Sequence, residues 1–267
     1  MNGKLLVCIN DIKDISKLTE LEVNNFVMCL KDFSIGHNSF DLEVINKYDT
    51  YILINRILDC NDVDELKKIL KSVSDNVRGI IFDDAAVLEI VKELNLDLEL
   101  IWMQNHFGTN TEMIDFWLNQ GVDSCFISNE LTEEEIKYIL DNSSNPLCVQ
   151  IFGYNHAMYS RRTLIRNYTD FYSLESTNEL DLKTDSDIGF KVVEEGKGTV
   201  FLSDKVFDGT GLRFLDNVKY YYIDMSLIDS EKIYELIRTF DVKTLDLEVD
   251  SGFLDKETIY KLPEVKS

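Results

Sequence analysis

The stretch Gly79–Met103, GIIFDDAAVLEIVKELNLDLELIWM, contains one full unit of the chain's rhythm. GIIFDD is apolar at consecutive positions and ends on two acids. A short run of this kind, without alternation, is what a strand buried on both faces requires. AAVLEIVKELN repeats apolar residues at helical spacing, and LELIWM is again continuously apolar. Strand, helix and strand in this order make the βαβ unit of a parallel sheet.

The unit recurs on both sides. KLLVCI (4–9), NFVMCL (25–30) and YILIN (51–55) read as strands, with a short helix from about Ile12 to Leu18 after the first. VDELKKILKSV (63–73) reads as an amphipathic helix with Asp62 as its cap. Downstream, SCFIS (124–128), LCVQIF (147–152) and YYYIDM (220–225) bring the strands to eight. The helices TEMIDFWLNQG and LTEEEIKYILDN flank the sixth strand, and DSEKIYELIRTF follows the eighth; Thr132 and Glu135 have capping-box spacing. Eight strands in β–α order predict an α/β fold, a (β/α)8 TIM-like barrel formed as one domain over residues 1–267. The alternative is an open doubly wound sheet, but its G-x-G-x-x-G marker is absent from Cys8 to Asp14. Residues 153–219 break the rhythm between strands seven and eight. They predict an insertion with its own hairpin, GFKVVEE and GTVFLSD flanking the turn at Gly196.

Composition narrows the function. With 49 acidic and 27 basic residues the net charge is −22, which argues against direct strong nucleic-acid binding. No signal peptide or membrane span is visible, so a cytoplasmic protein is expected. The five cysteines are widely spaced with no Cys-x-x-Cys, and the three histidines are far apart in sequence. Neither a disulfide framework nor a metal site is predicted, and no cofactor. HExxH, the Walker loop and GxSxG are absent, so the sequence identifies no catalytic machinery.

In a parallel barrel, ligands bind where the strands' C-terminal ends meet the following loops. That rule selects Asp32 and Ser34, Asn55 and Arg56, Asp83 and Asp84, Gln104, Asn105, His106 and Thr109, Asn129, Asp224, and the stretch from Gly153 to Arg162 within GYNHAMYSRRTLIRN (153–167). No Asp or Glu occurs from Asn142 to Thr169. Within that window Gly153 permits a sharp turn off strand seven, with Tyr154 and Tyr159 nearby. Arg161 and Arg162 offer planar forks to a carboxylate or phosphate. The competing reading is that these arginines pair with acids from other loops. His156 and Ser160, four apart, would make a nucleophile–base pair if the segment were helical. Asp83 and Asp84 serve either acid–base chemistry or an ion, or else cap the following helix.

VQIFGYNHAMYSRRTLIRNY resembles the signature of the collagenase-like peptidases, peptidase family U32: an apolar strand, a glycine, a Tyr-Ser pair and a basic residue, met here by Gly153, Tyr159, Ser160 and Arg162. TNTEMIDFWLNQGVDSCFISNELTEEEI, the hairpin around EEGKGT and the ending GFLDKETIYKLPEVK resemble short bacterial members. The resemblance implies an α/β barrel. It also implies kinship with members that carry an iron–sulfur cluster and hydroxylate RNA or ubiquinone. Where those members have the two signature cysteines this chain has His156 and Thr163, so no four-thiolate cluster is expected.

Three functions follow as expectations. The first is a peptidase-family homologue, hydrolase or not, that binds an anionic or peptide ligand at the barrel mouth. The second is a cluster-free partner of a longer homologue in tRNA modification. The third is a small-anion binding barrel.

Overall fold

The structure is a computed structural model, and it describes residues 3–185 and 188–256. The last part of GFLDKETIYKLPEVK lies outside the described residues. The chain begins β1 (Lys4–Cys8), α1 (Ile12–Glu20), β2 (Phe26–Leu30), β3 (Ser39–Phe40), α2 (Leu42–Ile45), β4 (Thr50–Ile54), α3 (Cys60–Leu70), β5 (Val77–Phe82) and α4 (Ala85–Leu94). It continues β6 (Glu99–Trp102), α5 (Thr111–Asn119), β7 (Ser124–Cys125), α6 (Glu133–Asn142), β8 (Leu147–Ser160), α7 (Leu164–Tyr172), β9 (Glu179–Lys183), β10 (Gly189–Glu195) and β11 (Gly198–Asp208). The order ends with β12 (Val218–Asp224), α8 (Ser230–Thr239) and β13 (Val249–Asp250).

This is a mixed α/β fold built on one curled sheet. The strands pair in parallel in the order β7-β6-β5-β4-β2-β1-β12-β8. A parallel bridge between Phe126 and Cys148 then brings the end of β7 against β8, so the run curls back on itself. Inside the curl sit Leu6 and Cys8, Val27 and Cys29, Tyr51 and Leu53, Ile81, Ile101, Phe126, Cys148, Tyr220 and Tyr222. They come from alternate positions on each strand, as the two-residue period of side-chain direction dictates. The intervening positions face outward and pack with the helices in the larger apolar cluster. Towards the strands' N-terminal ends, Tyr51 donates to Glu99 and shares a 2.8 Å bond with Tyr220, and Lys219 pairs with Glu99.

Helix starts follow the acids. Asp59, not Asp62, is the N-cap of α3; Asp62 sits three residues on and completes the capping box. Thr132 and Glu135 form the box expected on α6. Asp84 caps α4 through the Ala86 amide at 2.9 Å.

Strand β8 departs from expectation. It does not turn away at Gly153 but runs on to Ser160 and changes partners. Leu147 to Phe152 pair in parallel with β12, and Phe152 to Ser160 pair antiparallel with β11. The hairpin β10–β11 and the added strand β9 extend this antiparallel layer beside the curl. Gly153 is what lets two strands meet here: its φ is +125°, and a Cβ would stand 2.6 Å from the Asp224 Cβ and 2.8 Å from the Asp224 carbonyl oxygen. Among the described residues no helix is long and apolar enough to cross a membrane.

Candidate functional site

The alternation that fills the interior also builds the site. One step beyond the apolar positions Leu53, Ile81, Ile101, Cys148 and Tyr222 come Asn55, Asp83, Met103, Gln150 and Asp224, still pointing inward. All five line a cavity of about 450 Å³ at the strands' C-terminal ends. His37, His106, His156, Asn105 and Tyr159 close around it from loops and from the outer half of β8.

His37 arrives on the loop after β2. Gly36 adopts a left-handed φ of +80° to place it, with Val200 and His156 packed beside the glycine. Asn55 brackets the same loop, accepting from the Ile35 amide at 2.9 Å and donating to the Ile35 carbonyl at 3.2 Å. The buried His37 Nδ1 lies 2.5 Å from Ser226 Oγ and 3.5 Å from Asp224 Oδ1. Its ring stacks on that of His156, with centroids 5.5 Å apart. Burial alone would lower the basicity of His37, but the Asp224 carboxylate beside it raises it well above the ordinary value. Burial alone would raise Asp224; the His37 cation and the Ser226 hydrogen bonds overcome that and hold it at about 2. His156 is desolvated and faces the His37 cation, so it falls to about 4 and is neutral near pH 7.

Two of the three histidines therefore meet a carboxylate, although no metal constellation was expected from their spacing. The donor atoms of His37, His156 and Asp224 all lie within 4.8 Å of one another, as do those of Cys8, Cys29 and His37. Separation along the chain carried no information here, because β2, β8 and β12 are brought together by the curl of the sheet.

The other expected residues are spread out. Asn55, Asn105, His106, His156 and Tyr159 line the cavity; Gly153, Ser160, Arg161 and Arg162 do not, and Tyr154 lines a separate groove beside β10. His106 is paired with Glu130 at 2.8 Å. Arg161 binds Asp59 at 2.6 Å, Arg56 is buried against Asp62 at 2.8 Å, and Lys197 also reaches Asp62 at 3.5 Å. The acids at the start of α3 thus hold Arg56 and Arg161, two of the cations expected at the mouth, together with Lys197. Arg162 is exposed, and the cavity lining contains no lysine or arginine. The helical condition for a His156–Ser160 pair is not met, since both lie on β8. Four residues of extended chain separate their backbones by about 13 Å.

Asp83 is the cavity's candidate acid or base. Desolvation, and then the charge of Asp84, push its carboxyl up to about 7, a value suited to proton transfer at neutral pH. A carboxyl raised above its unfolded value gives stability that is complete below about pH 4 and is lost as pH rises through about 7. Asp83→Asn is therefore expected to gain about 2 kcal/mol at pH 8, after discounting for partial exposure, and nothing at pH 3. Urea unfolding at the two pH values measures the difference.

An iron–sulfur cluster on four cysteines does not fit this chain. Cys8 and Cys29 Sγ lie 3.5 Å apart, but Cys148 contacts Ser124 elsewhere in the interior and Cys60 is exposed at the start of α3. Among the described residues no three cysteines come together. The Cys29 hydrogen bond, with help from His37, lowers the Cys8 thiol to about 7, yet Cys8 does not line the cavity and cannot meet a ligand there.

The family model of peptidase family U32 matches residues 38–179, more than half of the sequence and the whole of β8. The chain belongs to peptidase family U32. Among curated U32 relatives, tRNA hydroxylation protein P2 of Bacillus subtilis (strain 168) is 24% identical over 248 residues, covering 79% of this chain and 80% of that protein. tRNA hydroxylation protein P1 of the same organism is also 24% identical, over 140 residues, but the match spans 51% of this chain and only 33% of that longer protein. The crystal structure of oxaloacetate acetylhydrolase overlaps 91% of this chain and 82% of its own at 11% identity, with a TM-score of 0.46.

Proposed function

We propose that this chain is the cluster-free partner of a longer U32 protein in tRNA hydroxylation, and that its mouth cavity holds a small polar ligand. The observation that carries the reading is the correspondence with protein P2 over about four-fifths of both chains, beside a match to P1 confined to one third of the longer protein. Three features support it. The cysteines do not gather, so the chain lacks the thiolates of a cluster-bearing member. The net charge of −22 leaves contact with tRNA to another subunit. Helix α7 exposes Tyr168, Phe171 and Tyr172, whose rings touch one another on its outer face. Aromatic clusters of this kind are enriched at protein interfaces. In this reading residues 1–267 form one domain, and residues 153–219 are an insertion on it that presents α7 to the partner.

The test has two arms. Removing the gene is expected to abolish or sharply reduce a hydroxylated tRNA nucleoside, read by mass spectrometry of digested tRNA. The tagged chain is expected to co-purify with a longer U32 protein, and Phe171→Asp is expected to weaken that association at least about 10-fold. Unchanged tRNA hydroxylation, with a chain that purifies alone, overturns the proposal.

A further inference from the structure

We infer that His37, His156 and Asp224 form a binding site for one divalent first-row transition-metal ion, open to the mouth cavity. The inference does not depend on the proposed partner role, because it concerns the isolated chain.

Geometry is the first support. The three residues come from different elements: the loop after β2, the outer half of β8, and the end of β12. Their donor atoms nevertheless lie within 4.8 Å of one another. The 3.5 Å between His37 Nδ1 and Asp224 Oδ1 is near the edge of a coordination polyhedron with bonds of about 2.1 Å. Two imidazoles and one carboxylate suit iron, zinc, cobalt or manganese, whereas calcium and magnesium favour all-oxygen shells.

The surroundings are the second support. Asn55 fixes the His37 loop, and the Ser226 amide donates to Asp224 Oδ1 at 2.8 Å, so the loop that carries one imidazole and the carboxylate are both held by neighbours; an ion on His37 Nδ1 would take the place of that nitrogen's 2.5 Å contact with Ser226 Oγ. All three residues line the cavity, so coordination positions beyond the three protein ligands would face it. Tyr222, only 1% exposed, also lines the cavity, and its hydroxyl has the Cys8 thiol nearby but no hydrogen-bond partner. An unsatisfied buried hydroxyl on the wall of such a site points to a ligand that completes it. Binding needs the neutral imidazole, so the ion would displace the proton that His37 holds beside Asp224.

The competing arrangement is a plain buried His37–Asp224 ion pair with His156 stacked above it. A second competitor shares His37 but uses Cys8 and Cys29. Spectroscopy separates the three. The purified full-length chain, stripped with a chelator, is titrated with Co(II) and followed by absorption, with Zn(II) stoichiometry from equilibrium dialysis. The expected result is one ion per chain, visible d–d bands and no near-ultraviolet thiolate charge-transfer band. His156→Ala, a change at a half-buried position, is expected to weaken binding at least about 100-fold while the circular dichroism spectrum is kept; Cys29→Ser is expected to leave binding unchanged. No uptake of Co(II), or uptake unchanged in His156→Ala, overturns the site. A thiolate band lost in Cys29→Ser also overturns it, placing the ion on Cys8, Cys29 and His37.

Discussion

Asp224→Ala is expected to cost about 3–5 kcal/mol of folding stability, the largest effect of any single change at the site. Asp224 and His37 are 5% and 7% exposed and face each other at 3.5 Å. In the metal-free chain, removing the carboxylate leaves a buried imidazolium without its counter-charge and withdraws the acceptor of the Ser226 amide. The site must then either keep a desolvated cation or release its proton, and either course is unfavourable. Urea unfolding should show a lower midpoint with an unchanged slope, as a loss of stability without loss of cooperativity requires. A His37→Gln/Asp224→Ala double variant should lose less than the two single losses added together, because the stranded charge is gone. Additive losses would show that the two residues are not coupled.

Gly153→Ala is expected to cost about 3 kcal/mol. Two separate penalties meet at this residue. A φ of +125° is strained for any residue with a side chain, and the added methyl would overlap the Asp224 Cβ and carbonyl oxygen. Neither neighbour is the free end of a flexible chain, so the contact is relieved only by moving β8 or β12. Both strands carry the site: β8 holds Gln150 and His156, and β12 holds Tyr222 and Asp224. The variant should therefore lose stability and also weaken whatever binds in the mouth. Differential scanning calorimetry gives the first loss, and Co(II) titration of the folded variant gives the second. A variant as stable as the parent would mean that the two strands lie farther apart than described.

These residues also show how much could be read beforehand. Gly153 was selected as the point where β8 leaves the wall, and it is the point where that strand changes partners; the backbone freedom was legible, but the close approach to Asp224 was not. The Asp83–Asp84 pair was read as either cap or cavity acid, and the chain uses one of each: Asp84 closes the first turn of α4 while Asp83 faces the cavity. Asp224, at a strand end, was within reach of the barrel rule. His37 was not, because it lies well past the end of β2 on a long loop whose path depends on Gly36 and Asn55. The two-residue period adds Gln150: stepping two positions past the last inward apolar residue of a strand reaches Gln150 from Cys148, as it reaches Asn55, Asp83 and Asp224 on their strands. The arginines illustrate the opposite limit. A window free of acids reads either as a reserve of unpaired cations or as arginines held by acids from other loops; Arg161 follows the second reading, meeting Asp59 from far away in the chain.

The amino-acid sequence by itself determined the eight buried strands, six of the helices among them and the strands' parallel sense, because these depend on apolar spacing and on caps a few residues apart. Only the tertiary structure decided which charges neutralise one another and which donors converge. Those pairings join loops remote in sequence, and their distances are set by the closing of the sheet, which no local pattern encodes.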